Sequence, residues 1–319
     1  MVRGAPIERG APGVKTADTK WQSRAGVVAG VVVSMRPRQW LKNLVVFAAL
    51  IFSRHLDDTA LVARSIVAFV LFCAASGAIY ILHDLVDVER DRRHPEKARR
   101  PIASGALGTA PAIVALTVLL LGSMMAGFTI SPPFGAVLLI YAAQNLLYSI
   151  WLKEVVIIDV MVIAAGFVLR AIGGGLILNV VVSPWLVMCT ILLSLFLAFC
   201  KRRQELEGLD DAAAHRSILL EYSVPFIDQM INVVTASTVV AYMFYTLSPE
   251  VELKLGTRHL YLTVPFVLYG IFRYLYLVHR MGEGGSPAQT LLADRPLLAC
   301  VGLWALMVVL LLYVVRVGT

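Results

Sequence analysis

The sequence predicts an all-α, polytopic membrane protein with nine transmembrane helices. Three observations support this. Hydrophobic residues make up 59% of the 319, charged residues only 15%, and the mean hydropathy is +0.78. A water-soluble chain of this length has too little interior to hide so much apolar side chain. Apolar runs of about 20 residues, enough to carry a helix across a bilayer, recur along the chain. The segments between those runs alternate in charge, as they do when a chain crosses a membrane repeatedly.

Residues 1–24, rich in Gly, Pro, Ala and isolated charges, read as a flexible tail, leaving 25–319 as one membrane domain. "GVVAGVVVSM" (26–35) has the apolar character of a signal peptide. It is followed by "RPRQWLKN" and not by a small-residue cleavage site, so it reads as a membrane-associated lead-in. The predicted spans are 37–54, 59–83, 108–128, 133–151, 155–178, 184–205, 223–247, 259–279 and 296–316. Pro37 suits the first turn of its helix, where its missing N–H costs nothing. Trp40 suits a membrane interface.

The even-numbered loops, 84–107, 152–154, 206–222 and 280–295, hold with their flanks Arg90, Arg92, Arg93, Lys97, Arg99, Arg100, Lys153, Lys201, Arg202, Arg203, Arg216, Arg280 and Arg295. The odd-numbered loops and the C-terminus hold only Arg54, Arg64, Lys254, Arg258 and Arg316. The segment through Lys42 adds further cations to the first side. This asymmetry predicts a cytoplasmic N-terminus and, with an odd number of spans, a C-terminus outside. The net charge of +7 is therefore topological, and no nucleic-acid partner is expected. Cys73, Cys189, Cys200 and Cys300 lie in or beside apolar runs at no metal-ligand spacing and read as packing residues.

Asp84, Asp87 and Asp91 follow the second span at i, i+3 and i+7. On a continued helix they share one face, within about 60° of one another. Three clustered carboxylates repel unless a cation lies among them. An all-oxygen ligand set suits Mg²⁺, which takes one or two carboxylates plus phosphate oxygens. The other chemistry-bearing residues fall on the same predicted side. They are Arg36, Lys42 and Asn43 at the start of the first span, and Tyr148, Lys153 and Asp159 around the fourth and fifth. Lys201, Arg202 and Glu205 end the sixth. Any single cation here could be a topology anchor. Acidic positions in separate hairpins, each ringed by cations, point instead to a polyanionic ligand such as phosphate or pyrophosphate. Asp159 and Arg170 return to nearly the same face of the fifth span, with Gly166 and Gly173 on that stripe. Charged residues in a span face a cavity or a partner. The glycines admit either a neighbouring helix or a ligand.

The assembled pattern resembles the UbiA-type superfamily of membrane prenyltransferases. "HDLVDVERD" (83–91) is similar to its N-D-x-x-D-x-x-x-D motif, with His83 in place of Asn. "YSIWLKEVVIID" matches its Y-x-x-x-x-K-x-x-x-x-x-D form at Tyr148, Lys153 and Asp159. "RPRQWLKN" (36–43), "DVERDRRHPEKARRPIASG" (87–105), "GFVLRAIGGG" (166–175), "CKRRQELE" (200–207) and, less specifically, "SILLEYS" (217–223) resemble the branch of decaprenyl-phosphate phosphoribosyltransferases. That resemblance implies a nine-helix bundle with a cytoplasmic-side active site and Mg²⁺ on Asp84, Asp87, Asp91 and Asp159. The implied substrates are 5-phosphoribosyl 1-diphosphate (PRPP) and a polyprenyl phosphate, and the implied setting is arabinose-donor and cell-wall synthesis in the plasma membrane. It also implies a homo-oligomer. Arg36, Lys42, Asn43, His83, Arg93, Lys97, Arg100, Arg170, Lys201, Arg202 and Glu205 become candidate substrate contacts. The rival readings are a prenyltransferase acting on an aromatic or lipid acceptor, and a non-enzymatic transporter or lipid-binding protein.

Overall fold

The computed structural model describes residues 24–95, 97–207, 217–282 and 285–314, and these are helical with no strand among them. The predicted tail lies outside the described residues except for Arg24. A lead-in helix α1 (Arg24–Ser34) is followed by an 11-residue 3₁₀ helix, Pro37–Phe47, running into α2 (Ala48–Phe52). Then come α3 (Thr59–Val86), α4 (Val88–Arg93), α5 (Thr109–Ile130), α6 (Pro132–Ile150), α7 (Ile158–Leu178) and α8 (Pro184–Glu207). The chain ends in α9 (Val224–Leu247), α10 (Pro249–Leu255), α11 (Val264–Arg280), α12 (Pro287–Ala293) and α13 (Arg295–Val309), which closes in a π-helical turn, Leu310–Val314.

Among the described residues, eight helices are long and apolar enough to cross a membrane. They match eight of the nine predicted spans to within a few residues. The first predicted span, 37–54, differs: it is the 3₁₀ helix plus the five-residue α2. A 3₁₀ helix rises about 2 Å per residue, so these 11 residues cover roughly 22 Å in a thinner rod. The neighbouring α7 accommodates it closely. A Cβ on Gly174 would overlap the Val46 carbonyl oxygen, so only glycine allows the two backbones to meet there.

Helix boundaries follow from capping chemistry. Asp58 accepts from the N–H groups of Ala60 and Leu61 to start α3, Ser223 caps α9 and Asp294 caps α13. Asn179 and Gly256 end α7 and α10 in the left-handed conformation. Ser131 alone separates α5 from α6, so they run antiparallel. The helix α5 buries only Ala112, Ser123 and Gly127 along 22 residues, as suits a lipid-facing helix.

Two large packing clusters lie side by side. One joins Val46, Leu50, Phe72, Phe134, Leu138, Tyr141 and Ile177. The other joins Val160, Phe196, Phe199, Ile218, Tyr222, Ile227, Tyr274 and Val278. α7 contributes to both, and it packs against α3, α6, α8 and the 3₁₀ segment. Its polar residues therefore sit at the centre of the bundle.

Candidate active site

Consecutive antiparallel helices bring the C-terminal ends of α3, α6 and α8 and the start of α7 to one end of the bundle. α3 stops at Val86 and α4 restarts at Val88, yet the ladder carries through. Asp87 N–H bonds to the His83 carbonyl at 2.9 Å, and Asp91 N–H to the Asp87 carbonyl at 2.8 Å. The expected i, i+3, i+7 face therefore exists. Asp84 and Asp91 are buried, at 2% and 4% side-chain exposure, and Asp87 is half-exposed.

One guanidinium nitrogen, Arg100 Nη1, lies between the two buried carboxylates, 3.1 Å from Asp84 Oδ1 and 2.5 Å from Asp91 Oδ2. Arg36 also donates to Asp84 Oδ1. Its backbone is left-handed, at φ 53°, and its guanidinium lies 4.8 Å from the Tyr80 ring centroid. That conformation is uncommon for a residue other than glycine and aims the side chain from the 3₁₀ N-terminus at α3. Arg90 approaches Asp87 only to 3.8 Å.

The second cluster is centred on Arg202, which is 1% exposed. Its Nε donates to Asp159 Oδ2 at 2.6 Å, its Nη2 to the Tyr148 hydroxyl at 3.2 Å, and its Nη1 to Glu205. Lys201 lies 3.5 Å from the other Glu205 oxygen. The second oxygen of Asp159 accepts from the Tyr222 hydroxyl at 2.7 Å. Burial pushes the Tyr222 hydroxyl well above its ordinary pKa, and donation to Asp159 raises it further, so Tyr222 keeps its proton at neutral pH.

A further cation, Lys42, is near a cation of each cluster. It is half-buried and within electrostatic reach of Lys201, Arg170 and Arg36, three cations on three different elements. Like charges held together repel, and an anion among them relieves the repulsion.

Asp159 and Arg170 do not meet, although they share a helix face. Asp159 points to α8. Arg170 donates to Asn43 Oδ1 at 2.6 Å, the Gly166 carbonyl at 2.7 Å and the Tyr141 hydroxyl at 2.8 Å. Asn43 in turn donates to Cys73 Sγ and Ser76 Oγ. Arg170 and Asn43 therefore tie the first segment to α3, α6 and α7. Arg93 is exposed, and Lys97, Lys153 and His83 are half-buried at the rim. Tyr222 and Tyr141 were not among the expected site residues. Tyr222 lies 63 residues from Asp159, a separation that no local pattern encodes.

Among the described residues, no three His, Cys, Asp or Glu side chains are arranged to hold a metal ion. The expected four-carboxylate set does not converge, because both Asp159 oxygens are held by Arg202 and Tyr222. Asp84 and Asp91 nevertheless fit a divalent cation. They are paired oxygen donors, and Arg100 Nη1 already marks a cationic position between them. Mg²⁺ needs only one or two carboxylates when phosphate oxygens complete its shell.

Residues 43–291 match the UbiA prenyltransferase family. A decaprenyl-phosphate phosphoribosyltransferase of Mycobacterium tuberculosis is 31% identical over 285 residues, covering 88% of this chain and 93% of that protein. One from Corynebacterium glutamicum is 31% identical over 307 residues, covering 92% and 90%. Among solved structures, a UbiA homolog from Archaeoglobus fulgidus bound to DMAPP and Mg²⁺ superposes with a TM-score of 0.68 at 16% identity. The match covers 90% of this chain and 100% of that one.

Proposed function

The chain belongs to the UbiA prenyltransferase family, and from that premise we propose that it transfers 5-phosphoribosyl from PRPP to a polyprenyl phosphate, decaprenyl phosphate in particular. The observation that carries this reading is the pair of carboxylate–arginine clusters at one end of the bundle, with Lys42 within electrostatic reach of Arg36 in one and of Lys201 in the other. Two polyanions must be brought together in this reaction, and a dense cationic centre offsets their repulsion.

A lipid phosphate oxygen forms the new bond to the ribose anomeric carbon. The bond from that carbon to the pyrophosphate oxygen breaks, and its electron pair leaves with pyrophosphate. The attacking phosphate is already an anion near neutral pH, so no side chain has to remove a proton. Asp84 and Asp91 would hold Mg²⁺, with Asp87 on the same helix face beside them, and the metal when bound would neutralise charge developing on the leaving pyrophosphate. Arg36 and Arg100 stand beside those carboxylates, where a diphosphate would meet them. Lys42, Lys201 and Lys153 supply point charges, and Arg202, fixed by Asp159, supplies a planar fork. The charged end faces the cytoplasm in this reading, where PRPP is soluble, and the apolar helix surfaces admit the lipid from the side.

The deciding experiment incubates purified protein and Mg²⁺ with labelled PRPP and decaprenyl phosphate. A parallel reaction contains a polyprenyl diphosphate and an aromatic acid. A lipid-soluble labelled phosphoribose product, absent for Asp84→Asn, is the expected result. Product only in the parallel reaction would replace this reading with prenyl transfer.

A further inference from the structure

The turn that leads into α7 is held in an unfavourable backbone conformation. Ile157 has φ 69° and ψ −43°, which a β-branched residue rarely adopts. Strain of this kind persists where the surroundings over-determine it, and it concentrates at functional sites. Here the Ile157 carbonyl accepts from the N–H groups of Val160 and Met161, and one side chain holds its N–H. The Ile157 N–H donates to the Tyr222 hydroxyl oxygen at 2.6 Å, and that hydroxyl donates its own proton to Asp159 Oδ1 at 2.7 Å. Tyr222 thus grips both the strained turn and the carboxylate two residues further on. Asp159 in turn holds Arg202 through its other oxygen at 2.6 Å.

The order of these contacts matters. Arg202 uses its remaining nitrogens on Glu205 and Tyr148, so its direction is set from three sides. Of those three partners, only Asp159 is itself fully buried, and Tyr222 occupies its second oxygen. Tyr222 is 5% exposed, with its ring in the apolar cluster of Ile218 and Ile227. It sits just after the short 3₁₀ turn Ser217–Glu221, on the connection between α8 and α9. That connection returns from the very helix that carries Lys201, Arg202 and Glu205. Both ends of the α8–α9 connection therefore meet at the same charged group.

We propose that Tyr222 is a positioning residue for the polyanion site: by clamping the Ile157 turn and Asp159 together, it sets the direction of Arg202 toward a substrate phosphate. The inference rests on the proposed function insofar as Arg202 meets phosphate. It predicts that the 217–224 segment responds when a phosphate ligand binds, although Tyr222 does not touch that ligand. A packing role alone would predict no such response.

The test uses inorganic pyrophosphate with Mg²⁺ as probe, calorimetry on the full chain in detergent, and melting temperature as the structural control. Tyr222→Phe keeps the ring and removes one hydroxyl. It should weaken binding about tenfold, the scale of a hydrogen bond to a charged group. In an Asp159→Asn background the same change should weaken it less than twofold, because the clamp acts through Asp159. Equal losses in both backgrounds, or no loss from Tyr222→Phe where Asp159→Asn does weaken binding, would overturn the proposal for Tyr222. If neither Asp84→Asn nor Asp159→Asn alters binding, the polyanion reading fails instead. Hydrogen–deuterium exchange on the unmodified protein keeps the question decidable if a variant does not fold. Pyrophosphate should slow exchange in peptides covering 155–161 and 217–224 together, and protection of the first without the second would count against Tyr222.

Discussion

Arg170 shows how a full charge survives at the centre of a membrane bundle. Its partners are an amide oxygen, a backbone carbonyl and a phenol, with the Tyr141 ring centroid 4.7 Å away. The charge is thus shared among dipoles rather than cancelled by a carboxylate. In membrane bundles such bonds contribute about 0.6–1.7 kcal/mol each. Tyr141→Phe is therefore expected to cost about 1 kcal/mol of stability, read as a lowered melting temperature in detergent, with pyrophosphate affinity unchanged. Lys42→Ala should instead leave stability intact and raise KM for an anionic substrate several-fold, measured in the transfer assay. The sequence marked Arg170 as a charge within a span and Lys42 as a candidate substrate contact. Their partners were not legible, because Asn43 and Arg170 are 127 positions apart, and face-sharing on one helix says nothing about what that face meets.

At the scale of elements, long apolar runs made eight helices readable almost to the residue, because a span has a minimum length and a polar boundary. The exceptions lie in the first and fifth spans. The predicted start of the fifth span at 155 becomes Ile158, since the Ile157 turn breaks the helix. The first span winds as a 3₁₀ rod, and its backbone at Val46 lies against Gly174 of α7. Gly174→Val should push Val46 away and shift the segment bearing Lys42 and Asn43. The expected outcome is a lower melting temperature together with weaker pyrophosphate binding. Asp294 caps α13 and takes two hydrogen bonds from Arg273, which hold its carboxyl below the usual carboxylate range. A depressed folded-state pKa gives stability that is present above the ordinary carboxylate pKa and lost as pH falls through the folded-state value. Asp294→Ala should cost about 1 kcal/mol near neutral pH through the lost cap. The gap between mutant and native melting temperatures should shrink as the medium is acidified.

Across the whole molecule, α7 is the shared wall between two packing clusters and carries the second charged centre at its first turn. Asp159 therefore sits on a helix that packs in both halves of the bundle. The alternation of loop charge predicts that the end bearing both clusters is cytoplasmic. In intact cells, a membrane-impermeant maleimide should label Lys254→Cys and leave Arg93→Cys untouched; the reverse pattern would invert the topology. The bundle was legible as a class from composition alone. The partners within its two charged centres were not, since those depend on which helices become neighbours.

Arg100, bridging Asp84 and Asp91, has a thermodynamic consequence for ligand binding. A cation entering between these carboxylates must displace a tethered one, so the free protein should take up divalent metal weakly. A diphosphate arriving with the metal gives the displaced guanidinium a new partner. The two ligands then favour each other, and linkage requires the coupling to be reciprocal. Under the proposed function, pyrophosphate should tighten metal binding by the same factor that metal tightens pyrophosphate. Removing the guanidinium with Arg100→Gln should shrink that factor while improving the affinity for metal alone. The arginine would thus act as a built-in competitor, keeping the site closed to stray ions until a phosphate ligand arrives with one.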